Sequence, residues 1–188
     1  MARAVFLDRD GVVIRAMIRG GKPYPPETLE QLELVAGAEQ MLSRLHLANY
    51  LLILITNQPD VARGSQDRGT VEAINSYLSN RLPIDDCLVC YHDDRDGCDC
   101  RKPRPGLILR AAELYSIDLE KSFLIGDRWR DIDAGYAAGC RTVLINRGYQ
   151  ERGPANAPDA CVSDLRDAVE WILIQPEESS RNSLPGTQ

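Results

Sequence analysis

A chain of 188 residues that is 44% apolar and 27% charged is long enough to bury one sizeable core and too apolar to stay disordered. Its formal net charge of −6 excludes broad, sequence-independent binding of nucleic acid, which needs a basic face, yet a local cluster of cations could still hold a small anion. No stretch approaches the ~20 apolar residues that span a bilayer.

Apolar runs alternate with helical spacing, the pattern of a parallel α/β sheet. Residues 4–7, AVFL, read as a short buried strand ending at Asp8. Residues 12–22 read as an irregular excursion with a small hairpin closed by Gly20-Gly21, after which Pro23, Pro25 and Pro26 oppose regular structure. Residues 37–48 have helical spacing through Met41, Leu42, Leu45 and Leu47, and 51–55 form an apolar strand that stops at Thr56-Asn57. A helix over 67–82 presents Val71, Ile74, Leu78 and Leu82, and 87–90 are a third strand. A cysteine-rich loop follows, then a helix over 105–115 with proline in its first turn. Residues 122–125 are a strand ending at Gly126-Asp127, 131–139 a helix stopped by Gly139, 142–145 and 160–162 strands, and 165–174 a last helix.

The expected fold is a three-layer α/β/α Rossmann-like sandwich with a mainly parallel sheet, one domain over 1–174 and a disordered polar tail over 175–188. The segments between Asp10, Thr56 and Lys102 are too short for a large cap domain, so the site should be open, with its specificity set by residues 12–26 and the cysteine loop. Because ligands bind beyond the carboxyl ends of parallel strands, Asp8, Thr56, the loop after Cys90 and Asp127 should share one rim.

Asp8-Arg9-Asp10-Gly11 offers one carboxylate for nucleophilic attack and a second for general acid/base work, with Gly11 allowing a sharp turn. A hydroxyl at Thr56 and a point charge at Lys102 suit a phosphoryl oxygen. Asp127 can hold magnesium together with Asp8, since that ion takes hard oxygen ligands. Asp131 could orient Lys102 or a metal-bound water, and Asp133 reads as helix-start charge. Each motif is common in solvated loops when taken alone.

A strand ending D-x-D-G, a strand ending T-N, a downstream lysine and a strand ending G-D-x-x-x-D, in that order over about residues 3–148, resemble the haloacid dehalogenase superfamily of phosphatases. The resemblance implies Asp8 as nucleophile, Asp10 as general acid/base that also gives its backbone carbonyl to the metal, Thr56 and Lys102 as phosphoryl stabilisers, and Asp127 as magnesium ligand. Within the superfamily, Thr56-Asn57-Gln58 and Cys100-Arg101-Lys102-Pro103 resemble the branch that acts on a heptose bisphosphate. Asn57, Gln58, Arg101 and Arg128 would then bind substrate, an arginine fork suiting a second phosphate. The five-residue spacing between His92 and Cys98 is more similar to the histidinol-phosphate branch.

Cys90, His92, Cys98 and Cys100 place three thiolates and an imidazole within eleven residues, a Cys3His set suited to a closed, structural zinc site. Such a site supplies on the order of 10 kcal/mol of folding energy and would aim Arg101 and Lys102. Cys87, Cys140 and Cys161 read as small buried or half-buried residues. The N-terminus, MARAVFLDRD, meets charge at once, unlike a signal peptide. The expectation is a cytoplasmic monomer without disulfides or a membrane or nucleic-acid partner, acting on a small phosphorylated substrate.

Overall fold

The computed structural model describes residues 1–176; of the expected tail, all but Gln175 and Pro176 lies outside the described residues. Eight strands and six α-helices follow in chain order: β1 Arg3–Leu7, β2 Met17–Arg19, β3 Lys22–Tyr24, α1 Ala38–Leu47, β4 Tyr50–Asn57, α2 Pro59–Ala62, α3 Arg68–Arg81, β5 Asp86–Cys90, α4 Gly106–Tyr115, β6 Phe123–Gly126, α5 Trp129–Ala138, β7 Arg141–Ile145, β8 Ala160–Val162 and α6 Leu165–Leu173. Six of the strands form a wholly parallel sheet in the order β5-β4-β1-β6-β7-β8.

Central strand β1 is apolar throughout because helices cover both of its faces. Side chains alternate across a strand, so Val5 and Leu7 join Leu52 and Leu54 on one face, beneath α1, α3 and α6. Ala4 and Phe6 join Ile53 and Ile55 on the other, against Leu107, Ile108 and Ala111 of α4 and Ala134 of α5. Three-layer packing therefore follows from two apolar stripes on every central strand. The strand order reverses at β1, with β4 on one side and β6 on the other, which opens a crevice at their carboxyl ends.

Strand β4 runs on through Thr56 and Asn57, past the expected stop at residue 55, because both residues pair with β5, Thr56 with Val89 and Asn57 with Cys90. The hairpin around Gly20-Gly21 forms as β2 and β3, but it includes Pro23, opposite Ile18. A two-stranded ribbon is all edge, and an outward-facing position needs no N–H. Helix α2 has no counterpart in the apolar pattern; at four residues it is one turn begun by Pro59. Pro105 stands just ahead of α4 rather than within it. Helix α5 starts two residues earlier than expected, at Trp129. All six cysteines are free, but Cys161, on edge strand β8, is exposed rather than buried or half-buried as its sequence context suggests. Among the described residues no helix is long and apolar enough to cross a membrane.

Candidate active site

The loop after β1 is wound tightly. The Arg9 carbonyl accepts from Val13 and Ile14 N–H, both at 3.0 Å, and Gly11 takes φ +89°, which glycine tolerates best. A Cβ at Gly11 would lie 1.7 Å from Asp127 Oδ2, so this glycine is what lets the loop close on Asp127. The wholly buried Arg9 points inward. Its Nη1 donates to Asn75 at 2.9 Å, and its Nε and Nη2 donate to the two oxygens of Asp10 at 3.2 and 3.1 Å. Gln58 Nε2 donates to Asp10 Oδ2 at 2.8 Å and to Thr56 Oγ1 at 2.9 Å. Asp10, Gln58 and Thr56 therefore form one hydrogen-bonded group on adjacent strand ends.

Lys102 is almost fully buried. Its Nζ donates to Asp8 Oδ1 at 2.7 Å and to the Ile55 carbonyl at 2.8 Å, and it lies 2.6 Å from Asp131 Oδ1. Burial works against its charge, but Asp131 and Asp8 outweigh that and hold its pKa above the ordinary lysine value. Asn57 fixes the Lys102 backbone: its Nδ2 donates to the Lys102 carbonyl at 3.0 Å and its Oδ1 accepts from the Lys102 N–H at 3.1 Å. The Asn57 amide is thus occupied in placing the lysine. Asp131 is set by its position in the first turn of α5, where Oδ2 accepts the Arg128 N–H at 3.0 Å, and Gly126 leaves room for it, since a Cβ there would meet Asp131 Cβ at 2.1 Å.

Ligand atoms of Asp8, Asp127 and Asp131 lie within 4.8 Å of one another. Three buried carboxylates face one ammonium, a surplus of negative charge that burial makes costly unless a cation offsets it. Asp127 shows the same deficit. Tyr149 Oη donates to its Oδ2 at 2.7 Å, while its Oδ1 is buried without a partner. Burial first, and then the charges of Asp8 and Asp131, push the Asp127 carboxyl well above its usual range. A hard divalent cation with oxygen ligands at about 2.1 Å suits this set.

Cys90, His92, Cys98 and Cys100 also converge. Cys90 Sγ lies 3.8 Å from Cys98 Sγ and 3.3 Å from Cys100 Sγ, and Cys98 to Cys100 is 3.5 Å. His92 Nδ1 is 3.6 Å from Cys90 Sγ and 3.3 Å from Cys100 Sγ. A tetrahedron built on Zn–S of ~2.3 Å and Zn–N of ~2.0 Å has edges of about 3.5–3.8 Å. The four residues fit zinc and leave no open position.

The cleft at the carboxylates is lined by the buried Asp8 and Lys102, by Asp10, and by Lys22, Pro23 and Tyr24 of the β2–β3 hairpin. Arg101 Nε donates to Asp94 Oδ1 at 2.8 Å, and Arg101 Nη1 is buried without a partner. Arg128 is paired with Glu151 through both Nε and Nη2. Asp133 is not simply helix-start charge: its Oδ1 accepts from the N–H groups of Ala155 and Asn156 at 2.8 and 3.1 Å, tying down the segment after β7.

That segment is what sequence reasoning missed. Besides Tyr149 on Asp127 and Glu151 on Arg128, it brings Arg147, whose Nε and Nη2 donate to the Gly11 carbonyl at 3.1 and 2.9 Å. It has no apolar period and no motif; the only sequence signal is that it follows a strand whose neighbours end in the site.

Residues 99–168 match the HAD-hydrolase-like family. The chain is 33% identical over 178 residues to the D-glycero-beta-D-manno-heptose-1,7-bisphosphate 7-phosphatase of Helicobacter pylori strain J99, covering 90% of this chain and 97% of that one. It is 37% identical over 160 residues to the enzyme of the same name from Pasteurella multocida, covering 79% and 84%. Its backbone superposes on the D,D-heptose 1,7-bisphosphate phosphatase of B. bronchiseptica, solved with magnesium and phosphate, with a TM-score of 0.76 at 31% identity, covering 91% of this chain and 98% of that chain.

Proposed function

This chain belongs to the HAD-like hydrolases, in the family of the heptose-1,7-bisphosphate 7-phosphatases, and on that premise we propose that it removes one phosphate from a heptose bisphosphate through a covalent phosphate on Asp8. The observation that carries the reading is Lys102 between Asp8 and Asp131, two members of the carboxylate triad that suits magnesium.

Phosphate monoesters are among the slowest compounds to hydrolyse unaided. Lys102 holds Asp8 Oδ1 and leaves the other oxygen to attack phosphorus. The bond from phosphorus to the sugar oxygen breaks as the new bond forms, and Asp10 gives its proton to that leaving oxygen. Asp10 is placed for this by Arg9 and Gln58. With the sugar gone, Asp10 takes a proton from water as the water attacks phosphorus, and Asp8 is released. Lys102 and the Thr56 hydroxyl meet the charge on the transferring oxygens. Magnesium, held by Asp8, Asp127 and the Asp10 carbonyl, would neutralise phosphate charge that otherwise repels Asp8. Asn57 and Gln58 act by placing Lys102 and Asp10, while Arg101 and Arg128 meet the substrate. Cys90, His92, Cys98 and Cys100 would hold zinc, which would fix the loop that carries Arg101 and Lys102. We expect the protein to work as a single-domain cytoplasmic monomer.

The five residues between His92 and Cys98 favour histidinol phosphate as the second reading. Phosphate release with magnesium from the heptose bisphosphate, histidinol phosphate and a simple aryl phosphate separates the two. The bisphosphate should have the highest kcat/KM, and a roughly hundredfold preference for histidinol phosphate, about 2.7 kcal/mol, would favour the second reading instead.

A further inference from the structure

Two guanidiniums from different elements converge on one oxygen in the cleft wall. Arg101, next to the zinc loop, donates through Nε to Asp94 Oδ1 at 2.8 Å. Arg130, in the first turn of α5, donates through Nη1 to the same Oδ1 at 3.2 Å. Arg130 also stacks on Trp129, 4.6 Å from the ring centroid, which limits where its head can go. Arg101 is nine-tenths buried, and its Nη1 is a buried donor without an acceptor, a costly state unless a ligand fills it.

We infer that Arg130 joins Arg101 in a two-arginine receptor for the second anionic group of the substrate, with Asp94 occupying the receptor until substrate displaces it. Asp94 marks where an anionic oxygen sits when both arginines reach it. A phosphate has more oxygens than a carboxylate and can satisfy the orphaned Arg101 donor as well. Asp94 is the member that can give way: its side chain is 54% exposed, whereas those of Arg101 and Arg130 are 10% and 24% exposed, and exposed ion pairs hold weakly. The assignment rests on the bisphosphate reading above, and makes Arg130 a residue that selects substrates with two anionic groups.

The test compares heptose 1,7-bisphosphate with heptose 7-phosphate, which lacks the second phosphate, in the wild type, Arg130→Ala, Arg130→Lys and Asp94→Asn. Arg130→Ala should raise KM for the bisphosphate about tenfold or more, leave its kcat within about twofold, and leave the 7-phosphate constants unchanged. Arg130→Lys should recover part of the loss, and Asp94→Asn should lower KM for the bisphosphate by removing the competitor. Arg130 also lies 3.4 Å from the Lys102 carbonyl. If it serves only to steady that backbone, Arg130→Ala will slow both substrates alike, and the inference is overturned. A wild type with no preference for the bisphosphate would instead sink the substrate reading itself. A wild type that prefers it, beside an Arg130→Ala that keeps the whole preference, would sink only the receptor.

Discussion

The Tyr149 hydroxyl donates to one oxygen of Asp127 at 2.7 Å, and the other oxygen of that carboxylate is buried with no partner. One bond thus orients the carboxylate and leaves a single oxygen for the cation. Groups that orient metal ligands in this way are typically worth 10–100-fold in metal affinity. Tyr149→Phe should raise the magnesium concentration for half-maximal activity about tenfold, with little change in activity at saturating magnesium. An unchanged magnesium titration would leave Tyr149 with a packing role alone.

Gly11 makes a sharper case. A methyl group there would overlap Asp127 Oδ2, and the backbone already stands at φ +89°. Gly11→Ala must shift either the loop that carries Asp8 and Asp10 or Asp127 itself. It should lose at least about a hundredfold in kcat/KM, since misplacing a site by 1 Å costs that much, and melt at a lower temperature. Near-normal turnover would mean that the loop has slack which its geometry denies.

Lys102→Met tests the buried charge. Removing one partner of such a group costs about 3–5 kcal/mol, and here it leaves Asp8 and Asp131 facing each other. In chelator at neutral pH the variant should unfold at markedly lower denaturant than the wild type. The lysine carries its own pH signature. Its folded pKa lies above the ordinary 10.5, so its contribution is fully present below pH ~10.5 and lost as pH rises through the higher folded value. Wild type should shed stability in that alkaline range more steeply than Lys102→Met; parallel curves would mean that Lys102 is not held as a cation.

Much of this site is legible in the sequence because chemistry and secondary structure coincide there. Asp8, Thr56 and Asp127 each sit where an apolar strand ends or has just ended, and parallel sheets gather such ends on one rim. The Cys3His cluster is legible because its four residues are close in sequence. Tyr149, Glu151 and Arg147 are not, because their partners lie 22, 23 and 136 residues away, on a segment with no periodicity to place it. Pro23 misled for the opposite reason: proline excludes a central strand but not the open edge of a hairpin. The two bonds from Asn57 to the Lys102 backbone join residues 45 positions apart, and no spacing in the sequence signals them.

The thiols give a check on zinc. The protein should hold one zinc per chain by elemental analysis, and Cys98→Ser should lose it and melt at a lower temperature. Thiol titration should find Cys161, which is exposed, reacting fast. Cys140 should lag, its thiol pushed up to about 12 by burial. Chelation should then release Cys98 and Cys100 as new reactive groups. A thiol count that chelator leaves unchanged would argue against zinc in this loop.

The proposed reaction passes its phosphate through Asp8, held by Lys102. Acid quenching during turnover of substrate labelled in the transferred phosphate, followed by peptide mapping, tests it directly. A phosphoryl group is expected on the peptide containing Asp8, removable by hydroxylamine as an acyl phosphate must be, and absent in Asp8→Asn together with turnover. Label on any other residue, or full activity in Asp8→Asn, would contradict it.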